Sequence, residues 1–314
     1  MQLRVEGLTR VFGDLKAVDS LSFTLGDGEI WGFIGPNGAG KTTTLRILAT
    51  VDQPTAGDAW ADGHSVVKDA DKVRPLIGFM PDFFGAYPDM LVSEYLDFFA
   101  RSYGLAGAER TRRIDDIVAF TEIGYLLRKR VSDLSKGMRQ RISLGRALIH
   151  DPELLLLDEP AAGLDPQARK ELRELLRLLA GEEKTVFISS HILAELEDVV
   201  DNVVIIKEGR LVYAGPIEER DGDVTREFTL LVRLMGELRE GARLLLETPN
   251  VMDVDSAEPD LLRVRMNGGP EAIARAVERL VEAGHRPYQV TPEGRRLEDM
   301  FLEATSGEAD DRMD

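Results

Sequence analysis

Two adjacent acidic residues follow an apolar run in the stretch LLLLDEP. The four leucines Leu154–Leu157 predict a short strand buried on both faces, because neither face carries a polar residue. Asp158 and Glu159 come directly after it. Two carboxylates at the edge of a core lose hydration, which is costly unless a cation meets them. The pattern therefore predicts a cationic partner at the end of this strand.

A glycine-rich stretch supplies the second candidate site. GPNGAGKTTT fits the pattern G-x-x-x-x-G-K-[ST], with a predicted strand before it and a predicted helix after it. Glycines let the backbone curl until its N–H groups face a phosphate, and the helix N-terminus adds its dipole. An ordinary glycine turn is the alternative, but the pattern in this context favours phosphate binding. The predicted phosphate-binding residues are Gly35, Pro36, Asn37, Gly38, Ala39, Gly40, Lys41, Thr42 and Thr43.

The two motifs explain each other chemically. Lys41 supplies a point charge to the β and γ phosphates of a nucleotide, and the Thr42 hydroxyl can ligate Mg²⁺. In this class of site an acid at the end of a neighbouring strand holds the same ion, a role that fits Asp158. Glu159 can accept a proton from an attacking water. A surface Asp-Glu pair that happens to follow a strand is the alternative interpretation.

The elements that must position these residues alternate between strand and helix. The sequence predicts a helical insert over residues 85–149, where apolar residues recur at helical spacing. Asp165-Pro166 predicts the start of a long helix, with Asp as N-cap and Pro at the first helical position. Strands are predicted within or near residues 3–25, 29–34, 55–67, 76–80, 154–157, 185–188 and 202–215.

A second unit is predicted after the charged stretch 218–227, which we interpret as a linker between it and a first domain at 1–217. Residues 228–305 are predicted to run strand-helix-strand-strand-helix-strand and then helix, an order typical of a small ferredoxin-like α+β domain. In its second helix, Ile273, Val277, Leu280 and Val281 are predicted to line one face. The tail at 306–314 is polar and predicted to be disordered.

Composition excludes several classes of function. The chain of 314 residues has no cysteine, which excludes disulfides and thiolate metal sites. Its net charge of −17 repels nucleic acid and anionic lipid, so we expect no nucleic-acid partner and no direct lipid binding. We find no apolar run long enough to span a membrane and no signal-peptide block, and a cytoplasmic location fits.

Five motifs in a fixed order carry a family resemblance: GPNGAGKTTT, LSKGMRQR, LLLLDEP, AGLDP and ISSH. Over residues 3–215 the sequence resembles the ATPase subunit of ATP-binding cassette (ABC) transporters. The resemblance implies an α/β P-loop ATPase domain with an antiparallel β subdomain and a helical insert. It also implies two subunits facing head to tail, with each ATP and its Mg²⁺ held between the phosphate loop of one subunit and the LSKGM segment of the other.

The resemblance also assigns residue roles. Ser135 and the backbone at Gly137 would contact the γ-phosphate across the dimer, His191 would bind the γ-phosphate and orient the catalytic water, and Asp165 would link the two ATP sites. Each has a structural alternative, since Ser135 and Asp165 suit helix N-caps and His191 could belong to a helix start. Phe12 lies where the family stacks an aromatic ring on adenine, although a strand Phe is more often core.

The resemblance also implies that Val18 touches the adenine on which Phe12 would stack.

Two departures from the family pattern stand out. Asp82 replaces the usual Gln, so it could approach the metal or accept a hydrogen bond, but it adds negative charge beside the γ-phosphate. We hypothesise slower or more tightly gated turnover. In LSKGM, Lys136 and Met138 replace Gly and Gln, and Lys136 would either attract the opposite ATP or face solvent.

LSKGMRQR and the late segment LEDMFLEAT are similar to a branch of exporters, the multidrug or ABC-2 type, whose ATPase is a separate chain. This implies a homodimer at the inner face of the cell membrane that drives export through a polytopic permease. The insert after Asp82, with FFGAYPDM around Phe84 and Tyr87 and then VSEYLDFFARSY, would form the docking groove, although the same aromatic residues could equally fill the insert's own core. A soluble ABC factor acting on ribosomes or DNA, and a catalytically silent regulatory subunit, are the alternatives.

Overall fold

The computed structural model describes residues 1–83, 85, 88–193, 196, 199–217, 227–293 and 301. The chain divides into two compact units, one built on Met1–Ile217 and the other within Glu218–Asp299. Residues 218–226 of the predicted linker, most of the predicted helix 297–304 and the predicted tail lie outside the described residues, whereas the last predicted linker residue, Glu227, begins a strand. No helix in the described part of the chain is long and apolar enough to cross a membrane.

The first unit contains two sheets and a group of helices. Its strands are β1 (Leu3–Phe12), β2 (Leu15–Leu25), β3 (Ile30–Ile34), β4 (Ala56–Ala61), β5 (His64–Ser65), β6 (Ile77–Met80), β7 (Leu154–Leu157), β8 (Thr185–Ser190), β9 (Asn202–Lys207) and β10 (Arg210–Pro216). Its helices are α1 (Lys41–Leu48), α2 (Ala70–Val73), α3 (Val92–Ser102), α4 (Gly107–Phe120), α5 (Lys136–Leu148) and α6 (Pro166–Gly181).

The larger sheet positions the candidate site. Its strand order is β10-β9-β3-β8-β7-β6, and β9, β3, β8, β7 and β6 are parallel to one another. Every residue of β3, β7 and β8 is buried, as expected for central strands of a parallel sheet covered on both faces. The carboxyl ends of parallel strands meet at one edge, so the segments after β3, β6, β7 and β8 converge there.

The smaller sheet is antiparallel in the order β2-β1-β4-β5 and packs onto the larger one. Three aromatic rings occupy the shared core: Phe33 of β3 stacks on Phe187 of β8 with ring centroids 4.8 Å apart, and Phe23 of β2 lies 5.7 Å from Phe187. This cluster holds β3 and β8 at fixed positions, and both strands lead directly into candidate site residues.

Helices α3, α4 and α5 form a separate apolar cluster around Tyr95, Leu96 and Ile142. At its edge the ring of Tyr103 stacks on His150, with centroids 3.7 Å apart and planes 8° from parallel. Burial lowers the pKa of His150 to about 4, so this ring is neutral near pH 7. The predicted class, a mixed α/β fold with an antiparallel subdomain and a helical insert, is confirmed.

The second unit consists of β11 (Glu227–Met235), α7 (Leu238–Leu246), β12 (Val251–Glu258), β13 (Leu261–Asn267), α8 (Pro270–Glu282) and β14 (Arg286–Glu293). Its antiparallel sheet has the order β12-β13-β11-β14, the ferredoxin-like arrangement that the sequence predicted. The predicted apolar face of α8 needs correction. Ala272, Ala276 and Leu280 are buried, whereas Val281 is 55% exposed.

Candidate functional site

A cleft of about 560 Å³ opens where the parallel strands end. It brings together residues that are far apart in the chain, from the phosphate loop, the ends of β6, β7 and β8, and the start of α5. The lining residues are Phe12, Leu15, Ala17, Asn37, Gly38, Gly40, Lys41, Thr42, Thr43, Asp82, Lys136, Gln140, Glu159, Ala162 and His191. Ten of the predicted site residues are therefore assembled in one place.

The phosphate loop is held in a shape that only glycine permits. Gly40 has φ 103°, and a Cβ there would lie 2.4 Å from the carbonyl oxygen of Ala17. A Cβ on Gly35 would lie 2.5 Å from the carbonyl oxygen of Ile206. The loop thus packs directly on neighbouring backbone, and α1 begins at Lys41 immediately after it. Gly35, Pro36 and Ala39 shape the loop but do not line the cleft.

Lys41 is folded back against its own loop. Its Nζ donates to Gly35 O at 2.6 Å and lies 3.6 Å from Glu159 Oε1, and the residue is only 6% exposed. Burial lowers the pKa of Lys41, and the negative charge of Glu159 opposes that shift. A buried ammonium that faces loop carbonyls and one carboxylate can redirect its donors to an arriving phosphate.

Asp158 is fully buried, which agrees with its predicted position at the edge of the core. Its Oδ1 accepts a hydrogen bond from the Ser189 hydroxyl at 2.7 Å, whereas its Oδ2 is buried with no hydrogen-bond partner of normal geometry among the described residues. Burial raises the pKa of Asp158, the hydroxyls of Ser189 and Thr42 lower it, and the charge of Asp82 raises it further. A buried carboxylate oxygen without a partner, beside Thr42, fits a bound cation.

Glu159 connects the two sides of the cleft. Its Oε2 lies 2.8 Å from His191 Nδ1, and its Oε1 faces Lys41. Its backbone has φ 49°, the left-handed region that a side chain such as Glu rarely adopts. Such strain persists only where neighbours fix it, and it concentrates at functional sites. The carboxylate is therefore held between an imidazole and an ammonium.

Of the two residues predicted to contact the base, Phe12 and Val18, only Phe12 lines the cleft. Phe12 lines the cleft, is 45% exposed, and lies 4.5 Å beneath the Arg10 guanidinium. Val18 is the exception, because its side chain is completely buried in the core between the sheets. The structure therefore does not bring Val18 to the surface of the cleft, and its contact with a base stays a prediction. Ala17 and Leu15 line the cleft in its place.

The remaining predicted residues cap helices within the single chain. Ser135 Oγ accepts a hydrogen bond from the Met138 N–H at 3.3 Å at the start of α5, and Asp165 Oδ1 accepts one from the Ala168 N–H at 2.9 Å at the start of α6. Neither residue nor Gly137 lines the cleft. Lys136 does line it, and its side chain lies across Gly163. The capping alternatives are observed, and roles across a dimer stay predictions.

Comparison with known proteins decides the family. Residues 18–162 match the family described as ABC transporter. The chain is 35% identical, over 98% of its length and 95% of the relative's, to Nod factor export ATP-binding protein I of Ralstonia nicotianae. The chain belongs to the ABC transporter ATP-binding family. It is also 33% identical, over 97% of both chains, to the bacitracin transport ATP-binding protein BcrA of Bacillus licheniformis.

A solved dimeric bacterial ABC transporter cassette has a TM-score of 0.63 and 25% identity, covering 69% of this chain and 99% of that one. The family expectation is therefore confirmed, and this ABC cassette is an ATP-binding ATPase. The residue roles that the family implies stay predictions.

The family departure at Asp82 gives a testable prediction. Asp82 lines the cleft near Asp158, where its charge opposes both carboxylate ionisation and phosphate binding. We expect Asp82→Gln to tighten ATP binding without Mg²⁺ by about three- to tenfold and to raise the hydrolysis rate. Nucleotide titration and steady-state phosphate release across a Mg²⁺ series measure both effects.

The control is Asp62→Asn, which changes an exposed acid in a left-handed turn. An unchanged rate and Mg²⁺ dependence in Asp82→Gln would show that Asp82 has no such role.

Proposed function

We propose that this chain is the ATP-hydrolysing subunit of an exporter, closing as a homodimer around two Mg²⁺-bound ATP molecules and driving a separate membrane permease. The observation that carries this proposal is the cleft itself. It is lined by the buried ammonium of Lys41 and by the Glu159–His191 pair, and Asp158, which does not itself line the cleft, lies directly before Glu159 with one buried carboxylate oxygen that has no hydrogen-bond partner among the described residues.

Nucleotide binding would follow from the loop and Lys41. The phosphates would lie along the loop N–H groups, and the Lys41 ammonium would turn from Gly35 O toward the β and γ phosphates. Phe12 would stack on the adenine ring. Thr42 and Asp158 would hold Mg²⁺, with Asp82 nearby, and the bound ion would neutralise charge on the phosphates.

Hydrolysis would use Glu159 and His191. Glu159 would accept a proton from water, so that the water oxygen bonds to the γ-phosphorus as the bond to the ADP oxygen breaks. His191 Nδ1, 2.8 Å from Glu159 Oε2, holds that carboxylate in place and would also bind the γ-phosphate. The proton would then leave Glu159 for solvent.

Dimer closure would complete each site. The start of α5 presents Ser135 and Gly137 on a helix N-terminus, where backbone N–H groups and the dipole favour an anion. We propose that this end meets the γ-phosphate bound to a second copy, and that Asp165 lies between the two sites. Support comes from the solved relative that is described as dimeric.

A second groove, of about 370 Å³, suits a permease segment. It lies between the helical insert and the sheet, and Phe99, Tyr103, Val51, Arg74 and Arg146 contribute to its lining. Aromatic and aliphatic surface beside two arginines fits a partner helix with apolar and acidic side chains. Phe84 and Tyr87, predicted for docking, lie outside the described residues. The relatives named for Nod factor export make export the proposed direction, at the inner membrane face.

A charge placed in this groove tests the coupling. Val51 is 55% exposed and lines the groove, so we expect Val51→Glu to leave basal ATP hydrolysis within about twofold while abolishing recruitment to membranes. Co-sedimentation with the membrane fraction of the producing cells measures recruitment. Leu178→Glu on α6, at a residue 58% exposed outside the groove, controls for surface charge. Equal recruitment of both variants would contradict docking at this groove.

A further inference from the structure

A buried hydroxyl lies between the two acids of the cleft. Ser189, on β8, is fully buried. The parallel register pairs Leu157 of β7 with Ile188 of β8. The residues that come next, Asp158 and Ser189, are therefore neighbours. Ser189 therefore faces Asp158 across the sheet. This placement follows from strand pairing and not from any motif in the phosphate loop.

The Ser189 hydroxyl forms hydrogen bonds with two successive residues, Asp158 and Glu159, as donor to the first and acceptor from the second. It donates to Asp158 Oδ1 at 2.7 Å and accepts from the Glu159 backbone N–H at 2.9 Å. A serine hydroxyl has one donor and two acceptor lone pairs, so both interactions can form at once. One atom thereby sets the rotation of one carboxylate and the backbone position of the next residue.

The two interactions act on the Asp158 carboxylate and on the Glu159 backbone. With Oδ1 bonded to Ser189, Asp158 presents Oδ2, which lacks a hydrogen-bond partner of normal geometry among the described residues, as the oxygen that remains for a cation. Glu159 has φ 49°, a left-handed conformation that is unfavourable for a side chain such as Glu and persists only with support from its neighbours. The Ser189 acceptor supplies that support at the Glu159 N–H.

We infer that Ser189 is a positioning residue that aligns the metal-binding carboxylate of Asp158 and the proton-accepting carboxylate of Glu159 through one hydroxyl. The inference rests on the proposed function, because it assumes that these acids serve Mg²⁺-ATP hydrolysis. Ser189 acts through its neighbours and need not touch the nucleotide. Its loss disturbs both acids together, whereas a change at either acid disturbs one.

The test compares Ser189→Ala, Ser189→Thr and Thr185→Val in the full chain. Thr185 lies at the other end of the same strand, is equally buried, and its hydroxyl accepts from Gly28 N–H at 3.0 Å. Thr185→Val therefore removes a buried hydroxyl from β8 far from the cleft. Thermal unfolding of all variants measures the shared cost of that loss.

The decisive readout is the ratio of affinities for a fluorescent ATP analogue with Mg²⁺ and with EDTA. We expect Ser189→Ala to reduce the Mg²⁺-dependent gain in affinity by about tenfold and kcat by about 10- to 100-fold, with EDTA binding unchanged. Ser189→Thr and Thr185→Val should retain the wild-type ratio.

Two results would overturn the inference alone. One is a wild-type ratio and kcat in Ser189→Ala, and the other is an equal loss of binding with Mg²⁺ and with EDTA, which would indicate general collapse of the loop. A wild-type chain that gains no affinity from Mg²⁺ would instead overturn the proposed function and this inference with it.

Discussion

Glu159→Gln is expected to reduce ATP hydrolysis about a thousandfold while ATP still binds. The amide cannot accept the proton of the attacking water, but it keeps a hydrogen-bonding group beside His191 Nδ1. Because hydrolysis is what would reopen the dimer, we also expect an ATP-dependent dimer to accumulate. Phosphate release and size-exclusion chromatography with light scattering, with and without ATP, measure the two effects.

A matched control lies on the same strand. Glu153 immediately precedes β7 at the end opposite Glu159 and is exposed, so Glu153→Gln makes the same chemical change away from the cleft. We expect this variant to hydrolyse ATP at the wild-type rate. Hydrolysis by Glu159→Gln within tenfold of wild type would remove Glu159 from the role of base.

Lys41→Met is expected to lower hydrolysis by at least about a hundredfold and to weaken ATP binding. The substitution keeps an unbranched side chain of similar length but removes the buried charge that faces the phosphate loop. It also removes the ion pair that holds Glu159 Oε1 at 3.6 Å, so the base loses one of its two partners. Titration with ATP and with ADP, followed by single-turnover hydrolysis, separates binding from chemistry.

Lys184→Met is the comparison for this change. The Lys184 Nζ also donates to a backbone carbonyl, Pro152 O at 2.9 Å, and pairs with Asp151, but it lies outside the cleft. Loss of a largely buried lysine charge is thus reproduced without the phosphate loop. If the two lysine variants bind and hydrolyse ATP equally well, the assignment of Lys41 to the phosphates is wrong.

That these side chains lie close together could be predicted, because each motif fixes the position of its residues relative to the end of a strand. Asp158 and Glu159 follow an apolar strand, and Lys41 follows a loop that needs glycine, so their neighbourhood at one sheet edge follows from parallel strands alone. His191 and Asp82 joined them for the same reason, since each follows another parallel strand. No long-range register was needed for these five positions.

Features that depend on register could not be predicted from the motifs. Ser189 faces Asp158 only because Leu157 pairs with Ile188, which a single sequence does not specify. The resemblance implied a base contact for Val18, but Val18 pairs with Arg10 where the β1–β2 register is irregular, and there Val18 is buried in the core while Ala17 lines the cleft. A one-residue shift exchanges the two faces of a strand.

Helix α8 shows a different limit. Large apolar side chains were expected to mark its buried face, yet Ala272 and Ala276 are buried and Val281 is exposed. Small residues let a helix approach a sheet closely, so size alone is a poor guide to burial. For Ser135 and Asp165 the missing information is a second copy of the chain, because alone they only cap helices.

The most direct measurement is a crystal structure of Glu159→Gln with ATP and Mg²⁺. We predict that the triphosphate lies along the loop at Gly35–Thr43, with Lys41 on the phosphates and one ion bound by both Thr42 and Oδ2 of Asp158. We also predict that Ser135 of a second copy contacts the γ-phosphate. A nucleotide bound elsewhere, or Lys41 and Asp158 with no shared ligand, would contradict it.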